Sequence, residues 1–300
     1  MNILGEINTG KILLSDGAWG TFLQAKGLQP GECPELWNIT RRNEVLDIAK
    51  SYIAAGSDII ETNSFGASSL KLAQYGLKDR VSEINEAAAL ISREAAGNDK
   101  LVGGSIGPTG KLLVMGDITE NELYDSFAEQ SVALEKGGAD LLIIETMTAP
   151  DEASLAVRAA RENTKCTVAL TMTFSRTPKG EYRTMMGASV EDLVSIMKSE
   201  GAHIIGSNCG NGIADMTGIT EAIRSIDRDV PILIQANAGS PEYIGGKTHF
   251  RESPETMASF VPRIIEAGAS IIGGCCGTTP DHIRAIGKMI FSLQPPGQGA

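Results

Sequence analysis

A junction recurs four times along the chain, in which a helical pattern of apolar residues ends at glycine and an apolar run follows at once. The four copies lie at residues 55–60, 137–142, 200–205 and 267–272. Glycine can adopt the left-handed conformation that ends a helix, so each copy predicts a helix that passes directly into a strand. The chain is therefore predicted to repeat an αβ unit.

Four further apolar runs lie between these junctions, at residues 11–16, 101–107, 167–174 and 231–238. Each is apolar along most of its length, as is typical of a parallel strand covered on both faces. The intervening segments are predicted to be helices. Two of them begin with the spacing of a capping box, at Thr119 with Glu122 and at Ser189 with Asp192.

Eight strands, each followed by a helix, predict an α/β fold of the single-domain (β/α)8 TIM-barrel type. The length of 300 residues is close to the roughly 250 residues typical of that fold. A doubly wound parallel sheet is the structural alternative. We expect the barrel to span residues 1–292, and residues 293–300, rich in Pro, Gly and Gln, to form a flexible tail or the start of a linker.

The composition changes this picture only by excluding partners. Apolar residues make up 42% of the chain, and 26 Lys and Arg against 37 Asp and Glu give a net charge of −11. That charge repels phosphate backbones and anionic membrane surfaces, so neither nucleic acid nor a membrane is an expected partner. No stretch approaches the roughly 18 to 20 apolar residues of a membrane span, and no basic N-terminal signal is present. We expect a cytoplasmic protein.

Three of the five cysteines fall where strands of the predicted barrel end. Cys209 follows the sixth strand, and Cys275 and Cys276 follow the eighth. Because the carboxyl ends of barrel strands share one rim, the three thiols are expected to meet there. Each could instead be a small buried apolar residue, or Cys275 and Cys276 could form a vicinal disulfide. Cys33 and Cys166 lie in a loop and at a strand start and are not expected to bind metal.

Three thiolates suit Zn²⁺ and leave a fourth tetrahedral position open, which is typical of a catalytic site. Such an electron-rich metal is poorly suited to activating water but suits a thiol substrate, whose proton it would displace. The expected chemistry is alkyl transfer to sulfur. A zinc- or thiol-binding regulatory protein is the non-enzyme alternative and would close its site with four protein ligands.

Polar residues at other strand ends are candidates for binding a substrate. Asp16 and Glu145 could hold an ammonium group at the mouth, and Glu61 is a weaker candidate for the same role. Asp16 could instead brace the turn into Gly17, whereas an unpaired carboxylate after the apolar run at 141–144 would be costly. Ser105 lies in a glycine-rich strand end where backbone can approach a ligand or simply pack closely.

Together these segments resemble the homocysteine S-methyltransferase family, most of all the homocysteine-binding module of cobalamin-dependent methionine synthase. The likeness runs from about Asp16 to Ile286. The glycine-framed cysteine pair, preceded by the third cysteine, is its most specific feature. The matching segments are Asp16-Gly17-Ala18-Trp19-Gly20-Thr21, Glu61-Thr62-Asn63-Ser64-Phe65, Gly104-Ser105-Ile106-Gly107-Pro108, Glu145-Thr146, Asn208-Cys209, Ala236-Asn237-Ala238-Gly239 and Gly273-Gly274-Cys275-Cys276-Gly277-Thr278.

The resemblance implies a zinc barrel that methylates the thiol of L-homocysteine to give L-methionine. By position, zinc would be held by Cys209, Cys275 and Cys276, and the amino and carboxylate groups of homocysteine would lie among Asp16, Gly17, Ser105 and Glu145. When no substrate is bound, we expect the fourth position to hold water or a nearby rim oxygen, and Asn237 at the end of the seventh strand is the candidate for that oxygen.

The methyl donor is expected to be methylcobalamin or another methylcorrinoid carried by a separate protein or domain. The chain stops just after its eighth predicted helix and contains no Asp-x-His-x-x-Gly corrinoid-ligand pattern. The donor would then dock from outside. S-methylmethionine and betaine are the alternative donors. A trimethylammonium donor would need an aromatic or acidic cage, and aromatic residues make up only 5% of the chain.

Overall fold

The computed structural model describes residues 2–245 and 247–293, and its main sheet has eight parallel strands. These are β1 Leu13–Leu14, β2 Ile59–Glu61, β3 Leu101–Ile106, β4 Leu141–Met147, β5 Thr167–Met172, β6 Ile204–Gly212, β7 Ile232–Asn237 and β8 Ile271–Gly274. The strands lie in the order β1-β8-β7-β6-β5-β4-β3-β2. This order is that of a (β/α)8 barrel, which confirms the predicted fold.

A helix follows each strand and covers the outside of the sheet. These helices are α1 Arg42–Ala55, α2 Val81–Ala96, α3 Glu120–Lys136, α4 Pro150–Asn163, α5 Val190–Glu200, α6 Ile213–Ile226, α7 Pro254–Glu266 and α8 Pro280–Leu293. Shorter helices span Ile3–Asn8, Gly20–Ala25, Trp37–Thr40 and Ser69–Leu72. Two hairpins extend the loops after β5 and β7, pairing Ser175–Arg176 with Tyr182–Arg183 and Glu242–Ile244 with Lys247–His249.

The predicted helix ends and starts are confirmed. One glycine at each of the four junctions has a positive φ, namely Gly56, Gly138, Gly201 and Gly268. Both predicted capping boxes form, so the starts of α3 and α5 have their first amides satisfied by side chains. Local sequence thus fixes where these elements begin and end.

Side chains alternate along each strand and divide the core into two layers. One residue near the start of each strand, and two in β4, point inward. These residues form a single apolar cluster with Ile3 of the N-terminal helix: Leu13, Ile59, Leu101, Leu141, Ile143, Ala169, Ile204, Leu233 and Ile271. The next residue along each strand faces the helices in a larger cluster. The amino-terminal end of the barrel is therefore packed with apolar side chains.

The barrel closes between β1 and β2 with little backbone pairing. Asp58 N donates to Leu14 O at 2.7 Å, and Leu14 N donates back to the Asp58 carboxylate at 3.1 Å. Lys100 Nζ lies 2.9 Å from the other Asp58 oxygen. One aspartate therefore supplies much of the connection across this seam.

Two details differ from the sequence-based expectation. Strand β1 contains only two residues rather than the run 11–16, and β6 continues through Cys209 to Gly212. The expected tail lies outside the described residues except for Leu293, which ends α8. Within the described part of the chain, no helix has the length and apolar character needed to cross a bilayer.

Replacing Asp58 with Ala should lower the free energy of unfolding by about 1–3 kcal/mol, because it leaves the buried Leu14 amide without its acceptor. The measurement is urea unfolding followed by circular dichroism. Asp99→Ala is the matched control, since exposed Asp99 has no hydrogen bond or ion pair with the described residues. Equal unfolding free energies for the two variants would contradict this role of Asp58.

Candidate active site

The inward-facing positions change from apolar to polar as each strand approaches its carboxyl end. Every second residue after a member of the inner apolar cluster points to the same side of its strand. Toward the carboxyl ends of the strands, these positions are occupied by Glu61, Ser105, Glu145, Asn208, Gln235, Asn237 and Cys275. The alternation of the pleat therefore places these side chains on the inner face of one barrel end. This is the end at which TIM-barrel enzymes carry their active sites.

A cavity of about 270 Å³, here termed the mouth cavity, opens at this end. It is lined by Gly17, Ala18, Trp19, Gly20, Leu23, Pro34, Glu35, Glu61, Thr62, Asn63, Ser64, Phe65, Ser105, Glu145, Thr146, Cys209, Gln235, Gly274, Cys275 and Cys276. Among these lining residues there is no Lys, Arg or His. Its charged groups are therefore all acidic or thiol.

The three predicted cysteines meet in the mouth cavity. The sulfur atoms of Cys209, Cys275 and Cys276 all lie within 4.8 Å of one another, and Cys209 Sγ is 4.0 Å from Cys276 Sγ. Zinc–sulfur bonds of about 2.3 Å in a tetrahedral site put sulfur atoms roughly 3.8 Å apart. The cluster thus has the size of a three-thiolate metal site. Cys33 and Cys166 are buried elsewhere, and burial raises the pKa of each thiol to about 12.

A tight turn after β8 presents the cysteine pair. Thr278 Oγ1 donates to Cys275 O at 2.7 Å and accepts from Ala18 N at 3.1 Å, which ties the turn to the first loop. A Cβ at Gly274 would lie 2.4 Å from Thr278 Oγ1, so this position must be glycine for the turn to close. The glycines around the cysteine pair therefore serve packing of the turn as well as access to the thiols.

Irregular backbone at the ends of β4 and β6 presents the remaining groups. Thr146 and Cys209 have φ values of 61° and 59°, and they are the described non-glycine residues with positive φ. The register shifts beside each of them, between Ile144 and Met147 in β4 and between Asn208 and Gly212 in β6. Such strain and such bulges re-aim side chains and concentrate at functional sites.

The Asn208 amide holds both irregular segments. Its Oδ1 accepts from Thr146 N at 2.8 Å and from Thr171 Oγ1 at 2.7 Å. Its Nδ2 donates to Thr146 Oγ1 at 2.8 Å and to Glu145 Oε2 at 3.1 Å. All four hydrogen-bonding positions of the amide are used, so the conformation of Thr146 and the direction of Glu145 depend on this one side chain.

Asn237 lies beside the thiol cluster but does not line the mouth cavity. Hydrogen bonds from Cys275 and Cys276, with a smaller one from Asn237, lower the pKa of Cys209 and stabilise a thiolate there. Asn237 Oδ1 is buried and has no hydrogen-bond partner. A buried oxygen without a partner next to three sulfurs is what a site for a metal ion with one oxygen ligand requires.

Besides Glu35, three carboxyl groups are buried around the mouth. Burial, followed by the charge of Glu61, raises the pKa of both Glu145 and Asp16 well above their usual range. Burial raises the pKa of Glu61 to about 7, against a hydrogen bond from Gln235. Holding all three ionised is costly, and a cation placed among them would lower that cost.

Asp16, like Asn237, does not line the mouth cavity. It is fully buried and falls on the outward-facing register of β1, after inward Leu13. Its Oδ2 accepts from Glu61 N and from Trp19 Nε1, both at 2.9 Å. The expectation that Asp16 faces the mouth is therefore wrong, and its carboxylate instead links β1 to β2. A role in binding substrate stays a prediction.

The other predicted substrate residues lie together. Gly17, Ser105 and Glu145 all line the mouth cavity, and Ser105 Oγ donates to Glu145 Oε1. A Cβ on Gly17 would lie 2.7 Å from Thr278 Oγ1, so glycine is needed at this approach.

Sequence reasoning did not single out Gln235 and Glu35, and it gave Asn208 no role. Gln235 was recognisable, because it is a polar residue in an apolar strand, two positions before Asn237 and hence on the same face. Glu35 lies in a loop where no periodicity applies. Its carboxylate accepts from Gly66 N at 2.7 Å.

Known proteins resemble the chain over nearly its whole length. A family model described as homocysteine S-methyltransferase matches residues 13–290. Methionine synthase from Mycobacterium tuberculosis is 29% identical over 313 aligned positions, which cover 97% of this chain and 26% of that protein. The Mycobacterium leprae methionine synthase is 28% identical, over 93% of this chain and 24% of its own length. The chain thus spans about a quarter of the length of these curated relatives.

Solved structures show the same fold. The metallated form of the Escherichia coli homocysteine methyltransferase MmuM matches with a TM-score of 0.78 and 22% identity, covering 95% of this chain and 99% of the other. Its oxidized form matches with a TM-score of 0.77 and 24% identity, covering 96% of this chain and 99% of the other. The match thus covers nearly all of each MmuM chain as well as nearly all of this one.

Replacing Asn208 with Ala should lower the free energy of unfolding by at least about 2 kcal/mol, because four buried hydrogen bonds are lost around a strained backbone. Urea unfolding in the presence of a chelator measures this without a contribution from metal. Asn98→Ala is the control, since Asn98 is exposed and has no hydrogen bond with the described residues. A difference below about 0.5 kcal/mol between the variants would refute the role given to Asn208.

Proposed function

The chain belongs to the homocysteine S-methyltransferase family, and on that premise we propose that it transfers a methyl group to the sulfur of L-homocysteine, giving L-methionine. One observation carries the proposal: a three-thiol cluster shares a single cavity of about 270 Å³ with three glutamates, two of which, Glu61 and Glu145, lie at strand ends. A substrate with a thiol at one end and an ammonium group at the other would place its thiol at the cysteines and its ammonium group at the carboxylates. Homocysteine carries both groups.

Cys209, Cys275 and Cys276 would hold Zn²⁺, and the orphaned Asn237 Oδ1 would supply the oxygen ligand before substrate binds. The spacing of the sulfurs and the chemistry of the donor set support this assignment. When bound, zinc would lower the pKa of the homocysteine thiol so that it reacts as a thiolate. The fourth ligand would be an amide oxygen that a substrate thiol can displace, unlike the four permanent ligands expected of a regulatory zinc protein.

The chain's own residues would orient the amino acid portion of the substrate. Glu145 faces the cavity with each oxygen fixed by one donor, Ser105 or Asn208, and can still accept from an ammonium group. The Gly17 amide lines the cavity and donates to no described residue, so it is free to donate to the substrate carboxylate.

In the proposed reaction the homocysteine sulfur attacks the methyl carbon of the donor. The new sulfur–carbon bond forms as the bond between the methyl group and the donor breaks, and the electron pair of that bond stays with the donor. The thiol proton is released to solvent when the substrate binds. The residues of the mouth hold the sulfur on the side of the cavity open to the donor.

We propose a methylcorrinoid on a separate protein or domain as the donor. Exposed apolar side chains surround the mouth on the loops that follow β3, β5 and β7: Val114, Met115, Met185, Met186, Tyr243 and Ile244. Apolar residues exposed around an active site are typical of a protein-binding surface. The curated relatives named methionine synthase also extend well beyond the part that this chain matches.

A small-molecule donor, S-methylmethionine or betaine, is the second candidate. The structure named homocysteine methyltransferase MmuM is matched over 99% of its length, which favours a barrel that acts without a further domain. Against betaine, Trp19 and Phe65 are the two aromatic side chains among the lining residues, so an aromatic cage for a trimethylammonium group has few members here. A cytoplasmic location belongs to the same proposal, because a reducing compartment keeps the thiols free.

Replacing Cys209, Cys275 or Cys276 with Ser should each remove bound zinc, which is expected at one ion per chain, and reduce methyl transfer at least 100-fold. Cys33→Ser and Cys166→Ser are matched controls that should keep both. Metal analysis of the dialysed proteins checks the stoichiometry. Full zinc content and turnover in any of the first three variants would show that the metal assignment is wrong.

Supplying homocysteine and enzyme with methylcobalamin, betaine or S-methylmethionine in separate reactions should give methionine only with the methylcorrinoid, free or protein-bound. Chromatographic measurement of methionine over time decides this. Turnover with betaine or S-methylmethionine and none with methylcobalamin would overturn the donor assignment, while leaving homocysteine as the acceptor.

A further inference from the structure

We propose that Glu61, positioned by Gln235, is the carboxylate that takes the ammonium group of the substrate, with Glu145 as its second partner. The inference rests on the proposed function and identifies how that site recognises an amino acid. Among the buried carboxylates Asp16, Glu35, Glu61 and Glu145, Glu61 has the oxygen that is available to a ligand. Its Oε1 accepts from Gln235 Nε2 at 2.6 Å, while its Oε2 accepts from no described residue.

The other carboxylates are more fully engaged. Glu35 has a donor on each oxygen, Gly66 N and Cys33 Sγ. Asp16 Oδ2 accepts from Glu61 N and Trp19 Nε1, its Oδ1 accepts from Ser15 Oγ at 3.5 Å, and the residue is fully buried outside the lining of the mouth cavity. Each oxygen of Glu145 already has one donor. Glu61 lines the cavity, and its Oε2 is not sealed from it. Glu61 is therefore the carboxylate whose second oxygen has no donor among the described residues and can accept from a cation in the cavity.

The charge of the cavity requires such a cation. Glu61 and Glu145 face the same space, and no basic side chain lines it among the described residues. Two carboxylates buried in a shared site repel one another and are poorly solvated. An α-ammonium between them removes both penalties, whereas a thiol that lacks the amino group leaves both in place. The site should therefore discriminate strongly against deaminated thiols.

Gln235 sets the direction of Glu61. Its amide nitrogen bonds Glu61 Oε1 and lies 3.4 Å from Ser15 Oγ, and its side chain is 3% exposed. Gln235 and Asn237 are two residues apart on the inner face of β7, a separation of roughly 6.6 Å along a strand. One strand thus connects the ammonium end of the cavity to the thiol end, and it fixes the distance between them.

Calorimetric titration of the zinc-loaded protein tests this without any methyl donor. The ligands are L-homocysteine and its deamino analogue, 4-sulfanylbutanoate. Wild type should bind homocysteine at least tenfold more tightly than the analogue. Glu61→Gln should reduce that preference to less than threefold by weakening homocysteine binding only, and Gln235→Met should reduce it in the same direction.

Glu152→Gln is the control, because Glu152 is a buried carboxylate bonded to Thr109 away from the cavity, and it should keep the wild-type preference. An unchanged preference in Glu61→Gln, with zinc still bound, would overturn this inference and leave the proposed function standing. If wild type bound neither ligand, the proposed function itself would fail.

Discussion

The geometry of the mouth depends on the four hydrogen bonds made by the Asn208 amide. They hold Thr146 in a left-handed conformation and aim Glu145 at the cavity, and the next residue along the chain is Cys209, itself left-handed. Left-handed backbone at a non-glycine residue costs on the order of 1–3 kcal/mol and persists only where the surroundings impose it. Here one buried amide sets the ammonium end of the cavity and borders the thiol end.

The rest of the barrel supports this arrangement with ordinary packing. Apolar side chains fill the amino-terminal half of the barrel, so the polar residues at the carboxyl ends stand on a rigid base. The acidic and thiol groups above it are costly without cations, as the raised pKa values of Glu61 and Glu145 indicate. The stabilising apolar packing thus lies at the amino-terminal end of the barrel, and the unfavourable burial of acidic groups lies at the carboxyl end, in the site. Such a division suits a cavity that stabilises a metal and an ammonium group.

Much of this could be predicted from the sequence, because periodicity and helix-ending glycines report local geometry directly. The eight αβ units and the meeting of Cys209 with Cys275 and Cys276 follow from strand order alone. The bulges beside Thr146 and Cys209 do not, since they depend on hydrogen bonds between residues about 60 positions apart. Asp16 was misplaced because a two-residue β1 leaves its register unmarked. Gln235 was accessible in principle, as its spacing from Asn237 puts both side chains on the inner face.

In the proposed mechanism a substrate thiol completes a three-thiolate metal site in the mouth cavity. Zinc K-edge X-ray absorption can count the sulfur neighbours of the metal in the zinc-loaded protein before and after homocysteine is added. We expect three sulfurs and one oxygen or nitrogen without substrate, and four sulfurs with it. Four sulfurs in the substrate-free protein, or a count that homocysteine leaves unchanged, would contradict it.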